Sequence, residues 1–337
     1  MAVSVRTAAG AALVIAGAGL TIIGAASLRG TDGSAEAPYR YELAEAAATS
    51  VDENLRTALA GTGAELRKAR VVSNSDGSTL AELSIAESAS GPVLLDWQTS
   101  LDEPFLTTAV PFAEVIELGK ALHKHLPPDA IVLAWWDVSR QLRLLDETPV
   151  RFGQHLVGAP LALPASWRPA RPAIEKVEAG FWQASATADE SADAFRAWTD
   201  ALLAPRDEGL RLLRARSDGR AIHLVVHIRD ALLLGTMAPE RIGVAFQDQA
   251  DAGNLHGSIN SARDWVRNEG FAAYTAYRPD DGQLRLVALI DDASVQTLVG
   301  RLLPFHDPRR SLEPIPGLTL VHQVGGFWVY RLESHLS

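Results

Sequence analysis

The stretch PPDAIVLAWWDVSRQLRLLDETPVRF, residues 127–152, decides the fold class of this chain. Residues 131–134 form a short apolar run, which is typical of a strand buried on both faces. Trp135, Trp136 and Asp137 follow at the carboxyl end of that predicted strand. Because open α/β sheets bind ligands outside the carboxyl ends of their strands, the stretch predicts an α/β protein with its functional residues at this end.

Five side chains near this strand end are candidates for contact with a ligand or a partner: Trp135, Asp137, Arg140, Arg143 and His155. Each also has a structural interpretation. Successive residues of a strand point to opposite faces, so one tryptophan of the pair can line a pocket while the other packs in the core. Asp137 can cap the following helix instead of binding a ligand, and a loop histidine can simply face solvent.

Composition excludes several function classes. The formal net charge is -10, and no segment concentrates the Lys and Arg that phosphate binding requires, so a nucleic-acid partner is not expected. The chain has no cysteine. A disulfide framework, a thiolate metal site and covalent attachment of c-type haem are therefore impossible, and we expect no cofactor.

The histidines do not predict a metal site either. His223 and His227 lie four residues apart in a predicted strand, which separates them by about 13 Å along it. His123 and His125 lie two apart at a predicted helix end, where a helix turns them to different sides. Neither pair has the further ligands that a metal shell needs. The chain also has no GxSxG, P-loop or HExxH motif, so no catalytic residues are predicted.

The N-terminus predicts a membrane anchor. Residues 8–28 are 21 consecutive uncharged positions, long enough to cross a bilayer. Arg6 on the preceding side favours a single-pass protein of the cell inner membrane with its body on the periplasmic side. The alternative is a cleaved signal peptide, since the small residues 24–26 offer a cleavage point.

The rest of the chain divides into predicted segments. The anchor covers 1–29 and a polar linker 30–38. An α/β domain follows over 39–158, with a helix over 39–59, strands at 71–72, 80–85 and 93–97, a helix over 111–126 and the strand before Trp135. A passage with four prolines, residues 159–172, cannot be regular structure and marks a domain boundary.

The second predicted domain, residues 173–337, has the clearer order. It begins with a predicted helix over 191–203 and a strand over 221–228. The elements that follow are strand 242–246, helix 258–268, strands 271–277 and 284–290, helix 292–303 and strands 318–322 and 327–332. The βαββαβ part of this order predicts a ferredoxin-like sandwich. The expected fold is therefore α/β (α+β), a transmembrane helix followed by two α/β sandwich domains.

Several motifs carry a resemblance to a known family. The anchor, the Trp-Trp-Asp strand end, GFAAYTAY (270–277), LIDDASVQTLVGRLLPF (289–305) and GGFWVYRL (325–332) resemble the HaoB family of hydroxylamine oxidation proteins. The resemblance implies membrane attachment and an accessory role beside a multihaem hydroxylamine oxidoreductase, which would be the partner. It transfers no catalytic residues. The strand end is also similar to the WWDYG motif of oligosaccharyltransferases, but Val138 and Ser139 replace the Tyr-Gly.

Two function classes follow. The first is a non-catalytic, membrane-anchored accessory protein of hydroxylamine oxidation. The second is an enzyme or a small-ligand sensor that uses the end from Trp135 to Arg140 as a pocket. An open pocket lined by Asp137, Arg140, Arg143 and His155 would favour the second class, and a closed strand end would favour the first.

Overall fold

A computed structural model describes residues 36–44, 53–101, 103–108, 110–153, 161–183, 188–217, 219–250, 255–279, 283–307 and 314–333. The predicted anchor and the candidate residue His155 lie outside these ranges. Within them, no helix combines the length and the apolarity that crossing a membrane requires. The anchor therefore stays a prediction.

The first sheet is an antiparallel meander in the order β1-β2-β3-β4. Its strands are β1 (Tyr39–Leu43), β2 (Glu65–Ser73), β3 (Thr79–Ser88) and β4 (Gly91–Thr99), with helix α1 (Glu53–Leu59) between β1 and β2. The three strands predicted after residue 70 are confirmed. The prediction of one helix over 39–59 is wrong at its start, because apolar residues four apart share a face in a strand as well as in a helix.

The helix predicted over 111–126 and the strand predicted before Trp135 are confirmed. Helix α2 (Phe112–His125) leads to the short strand β5 (Ile131–Leu133), and helix α3 (Trp136–Asp146) begins directly after it. The Pro-rich passage was expected to be irregular, but residues Ala165–Ala170 form a 3-10 helix. Helix α4 (Arg171–Trp182) continues from there, since a proline in the first turn of a helix needs no intrahelical donor.

The remaining elements are α5 (Ala188–Leu203), α6 (Arg206–Arg214), β6 (Ile222–His227), α7 (Ile228–Met237), β7 (Val244–Ala250), α8 (Leu255–Glu269), β8 (Ala273–Tyr277), β9 (Gln283–Leu289), α9 (Asp292–Gln296), α10 (Leu298–Leu302), β10 (Leu318–Val324) and β11 (Phe327–Leu332). The sequence missed α4, α6 and α7. It also joined α9 and α10 into one helix, whereas Thr297 ends the first and caps the second.

The central sheet has the order β10-β11-β6-β5, with β5 and β6 parallel and the other pairs antiparallel. It is buried on both faces: Ile131, Leu133 and Leu224 belong to one apolar cluster, and Val132 and Val225 belong to another. This arrangement explains the continuous apolar run that the sequence shows at β5.

The third sheet has the order β7-β9-β8, so the ferredoxin-like prediction is wrong. A ferredoxin-like sheet would take β10 as its fourth strand. Strand β10 instead forms a hairpin with β11 through a turn at residues 325–326, and this local pairing places it in the central sheet.

The chain is thus a mixed α/β fold with several sheets. Residues Glu36–Ser337 form one compact unit. Strand β5 pairs with β6 across the Pro-rich passage, from Ile131 opposite Ile222 to Leu133 opposite Leu224. The domain boundary at 159–172 stays a prediction.

Candidate functional site

Charged side chains meet where β5 and β6 end. The two strands are parallel neighbours, so their carboxyl ends lie side by side, and each continues directly into a helix. Asp137 lies in the first turn of α3, and Arg229 and Asp230 lie in the first turn of α7. We call Thr107, Asp137, His227, Arg229 and Asp230 the buried charge cluster.

An ion pair forms the centre of this cluster. Arg229 Nη2 donates to Asp137 Oδ1 at 2.5 Å, and both side chains are only 2–3% exposed. Thr107 Oγ1 donates to Asp137 Oδ2 at 2.7 Å, and Arg229 Nη1 also donates to the carbonyl of Thr108. The backbone N–H of Val138 donates to Asp137 Oδ1 at 2.7 Å. Both carboxylate oxygens therefore accept hydrogen bonds from protein groups, and removing one partner of such a buried pair costs roughly 3–5 kcal/mol.

The loop before α2 brings Thr107 to this pair through a tight turn. Leu106 has a φ of 60°, in the left-handed region that a non-glycine residue rarely adopts. The N–H of Thr107 donates to the carbonyl of Phe105 at 2.7 Å across it, and the N–H of Leu106 donates to the carbonyl of Ala162 at 2.7 Å. The backbone strain at Leu106 is thus held by hydrogen bonds on both sides of the residue.

His227 is the last residue of β6 and caps α7. Its Nδ1 accepts from the N–H of Arg229 at 3.0 Å, while its own N–H donates to Asp230 Oδ2 at 2.9 Å. An accepting Nδ1 carries no proton, so the neutral ring holds its proton on Nε2. Burial lowers the pKa of His227 to about 4, although Glu114 opposes this effect. The ring is therefore uncharged at neutral pH.

The β10–β11 turn closes over this histidine, which explains its two glycines. A Cβ on Gly326 would lie 2.1 Å from His227 Nε2, and a Cβ on Gly325 would lie 1.9 Å from Glu114 Oε2. The N–H of Gly326 donates to that same Oε2 at 2.9 Å. The Gly-Gly of GGFWVYRL thus lets the turn approach His227 and Glu114 closely.

Asp230 is the acidic group whose charge is not fully compensated. Burial raises its pKa to about 7, with the positive charge of Arg229 acting in the opposite direction. Its Oδ1 lies 3.7 Å from Arg229 Nε, too far for a hydrogen bond, and it has no hydrogen-bond partner within the described structure. Burial therefore favours the neutral form of the Asp230 carboxyl within the cluster.

The predicted contact residues that the structure describes lie in different surroundings. Trp135 packs edge-on against Phe195 and Trp198 at ring-centroid distances of 5.2 and 5.8 Å. Arg140 is buried and donates to the carbonyl of Pro92; burial, and then the charge of Arg143, lower its pKa to about 10.

Asp137 faces Arg229, and Arg143 is exposed at the surface. Among the predicted contact residues that the structure describes, Arg143 is thus the one open to a partner. Contact of these residues with a ligand or partner stays a prediction.

Sequence reasoning singled out the end of β5 but not its neighbour, the end of β6. Thr107, Arg229 and Asp230 were not considered, although the run HLVVHIRD at 223–230 repeats the pattern of the decisive stretch: an apolar strand followed at once by charges. Two such patterns predict adjacent parallel strands with their carboxyl ends together. Across the part of the chain that the structure describes, no group of three or more His, Asp or Glu side chains could hold a metal ion.

The fold and the cluster define a class: a mixed α/β protein whose central strand ends are closed by buried charges that bond to one another. A family model, that of the HaoA-associated protein HaoB, matches residues 2–332. The chain therefore belongs to the HaoB family, and the family resemblance in the sequence is confirmed. By its name, this family is associated with HaoA and with hydroxylamine oxidation. No curated protein matches the chain.

Proposed function

We propose that this protein is a membrane-anchored accessory factor that supports a multihaem hydroxylamine oxidoreductase. The main support for this proposal is the match of the HaoB family model to residues 2–332. The haem chemistry would belong entirely to the partner, because a chain without cysteine cannot attach c-type haem covalently. The protein would contribute a folded surface and a position at the membrane.

The strand end supports an accessory role better than a pocket enzyme. Asp137 and Arg140 were the charged groups best placed for a substrate, but both are buried, and each bonds to a protein group. Asp137 has both of its oxygens occupied. A substrate would have to displace a buried ion pair to reach it, which is energetically unfavourable.

The partner contact can be tested at Arg143. We propose that the exposed guanidinium of Arg143 contacts the oxidoreductase, and that Arg143→Glu reduces co-purification of the oxidoreductase with the tagged full-length protein. Arg211→Glu is the matched control, since Arg211 is also exposed but lies on α6. Equal recovery of the oxidoreductase with both variants would place the interface elsewhere, and no recovery with the wild-type protein would refute the accessory role.

The anchor can be tested separately. The uncharged span at 8–28 should retain the full-length protein in the inner-membrane fraction after carbonate washing. Its body should be degraded by protease added to spheroplasts, because the positive residues precede the span. Release of a chain that begins near Ser27 would instead show that a signal peptide had been cleaved.

A further inference from the structure

A cavity of about 170 Å³ lies against the parallel pair β5 and β6, on the side covered by α5 and α6. Apolar side chains make up its interior, including Leu133, Trp198 and Ile222. Arg151, Arg216 and Arg220 also line it, and all three are exposed side chains. It is therefore an apolar cavity with a cationic rim, and none of the buried charge cluster lines it.

Backbone carbonyls hold Arg220 at the rim. Arg220 donates from Nε to the carbonyl of Asp129 at 3.3 Å and from Nη2 to the carbonyl of Ala130 at 3.2 Å. Backbone carbonyls orient a guanidinium without neutralising it, so Arg220 is held at the start of β5 as a cation. No Asp or Glu is among the described residues that line the cavity.

The combination selects a particular ligand chemistry. An apolar interior favours a hydrocarbon body, whereas arginine forks match the geometry of a carboxylate. A cavity of about 150 Å³ in another protein accepts benzene, so the space here suits a body of about one ring. Phosphate alone would leave the apolar interior unfilled.

We propose that this cavity binds a carboxylate with a compact apolar body, either a free small molecule or the C-terminal residue of a polypeptide. The site goes beyond the proposed accessory function and does not depend on it. Arg216 and Arg220 would bind the carboxylate, and the face of β5 and β6 would pack against the apolar body.

Benzoate and its neutral analogue benzamide test the proposal by calorimetric titration of the full-length protein. We expect saturable benzoate binding and at least ten-fold weaker benzamide binding. Because an exposed charge pair contributes up to about 1 kcal/mol, each of Arg216→Ala and Arg220→Ala should weaken benzoate binding roughly two- to five-fold. Ala194→Leu, which adds bulk to the cavity wall, should abolish it.

The matched control is Arg211→Ala, which removes an exposed charge from α6 outside the cavity and should leave binding unchanged. A peptide ending in a free phenylalanine carboxylate distinguishes the two sources. Tighter binding than benzoate indicates a chain terminus, and weaker binding indicates a free small acid. Absence of saturable benzoate binding, equal binding of benzamide, or the same loss with Arg211→Ala would overturn the proposal.

Discussion

Asp230 gives the sharpest test of the buried charge cluster, through the substitution Asp230→Asn. Its pKa is raised by burial from 3.8 to about 7 in the folded protein. The folded state therefore binds a proton that the unfolded state releases near pH 4. The resulting stabilisation is full below pH 3.8 and is lost as the pH rises through 7. At 1.36 kcal/mol per pH unit, about three units amount to roughly 4 kcal/mol.

Asparagine resembles the neutral acid and cannot ionise, so the variant does not lose this contribution. Its amide oxygen can still accept from the N–H of His227. The free energy of unfolding of the variant, minus that of the wild type, should therefore rise by about 4 kcal/mol between pH 4 and pH 8. Urea denaturation followed by tryptophan fluorescence at each pH measures this difference.

The difference between the two free energies of unfolding is needed because His227 changes the stability with pH in the opposite direction. Burial lowers its pKa from 6.5 to about 4, so its contribution is full above pH 6.5 and is lost as the pH falls through 4. In the wild type the two effects largely cancel in this window, whereas subtraction removes that of His227. Ser139→Ala, a buried non-titrating control, should follow the wild type in parallel. A flat or falling difference for Asp230→Asn would mean that the charge of Arg229 outweighs burial.

Three further substitutions test the packing of the strand ends by urea denaturation. Asp137→Ala should lower the free energy of unfolding by roughly 3–5 kcal/mol, because it leaves a buried cation unpaired. The exposed control Arg143→Ala should change it by less than about 0.5 kcal/mol. Equal losses would contradict the ion-pair assignment. Gly326→Ala should lower the free energy of unfolding by about 2 kcal/mol or more, because the added Cβ would overlap the His227 ring. Gly180→Ala, in open space on α4, should instead raise it by about 0.5–1 kcal/mol. No change for Gly326→Ala would show that the turn can move. Trp135→Ala should cost about 3–5 kcal/mol, and a much smaller loss would argue against core packing.

Local patterns predicted most strands and several helices, because alternating, helical and continuous apolar spacings each indicate a type of element. The run at 131–134 was predicted as a strand buried on both faces. The strand covers Ile131–Leu133, and both apolar clusters of the central sheet include residues of the run. Tyr39 shows where such patterns fail. Its side chain is fully buried and its hydroxyl donates to Glu178 at 2.6 Å, a contact across 139 residues that no local spacing reveals.

Only part of the buried charge cluster could be predicted from the sequence, for the same reason. Asp137 was noticed because it follows an obvious strand, but its partner Arg229 lies 92 residues further along the chain. Pairing them requires knowing that β5 and β6 are adjacent and parallel. The ferredoxin-like prediction failed at the same level, since residue order alone does not state which sheet takes β10.

The cluster has a clearer role in specifying the fold than in adding stability. Replacing a buried ion pair by apolar residues is often neutral or stabilising, whereas leaving one charge unpaired is strongly unfavourable. Arg229 meets its partners only when the loop at Thr107, helix α3 and helix α7 are all in place. Misplacing any one of the three would bury an unpaired charge, so the cluster penalises alternative packings that the apolar core alone would tolerate. A unique arrangement of these elements also fixes the position of exposed Arg143 on α3, the residue proposed above to contact the oxidoreductase.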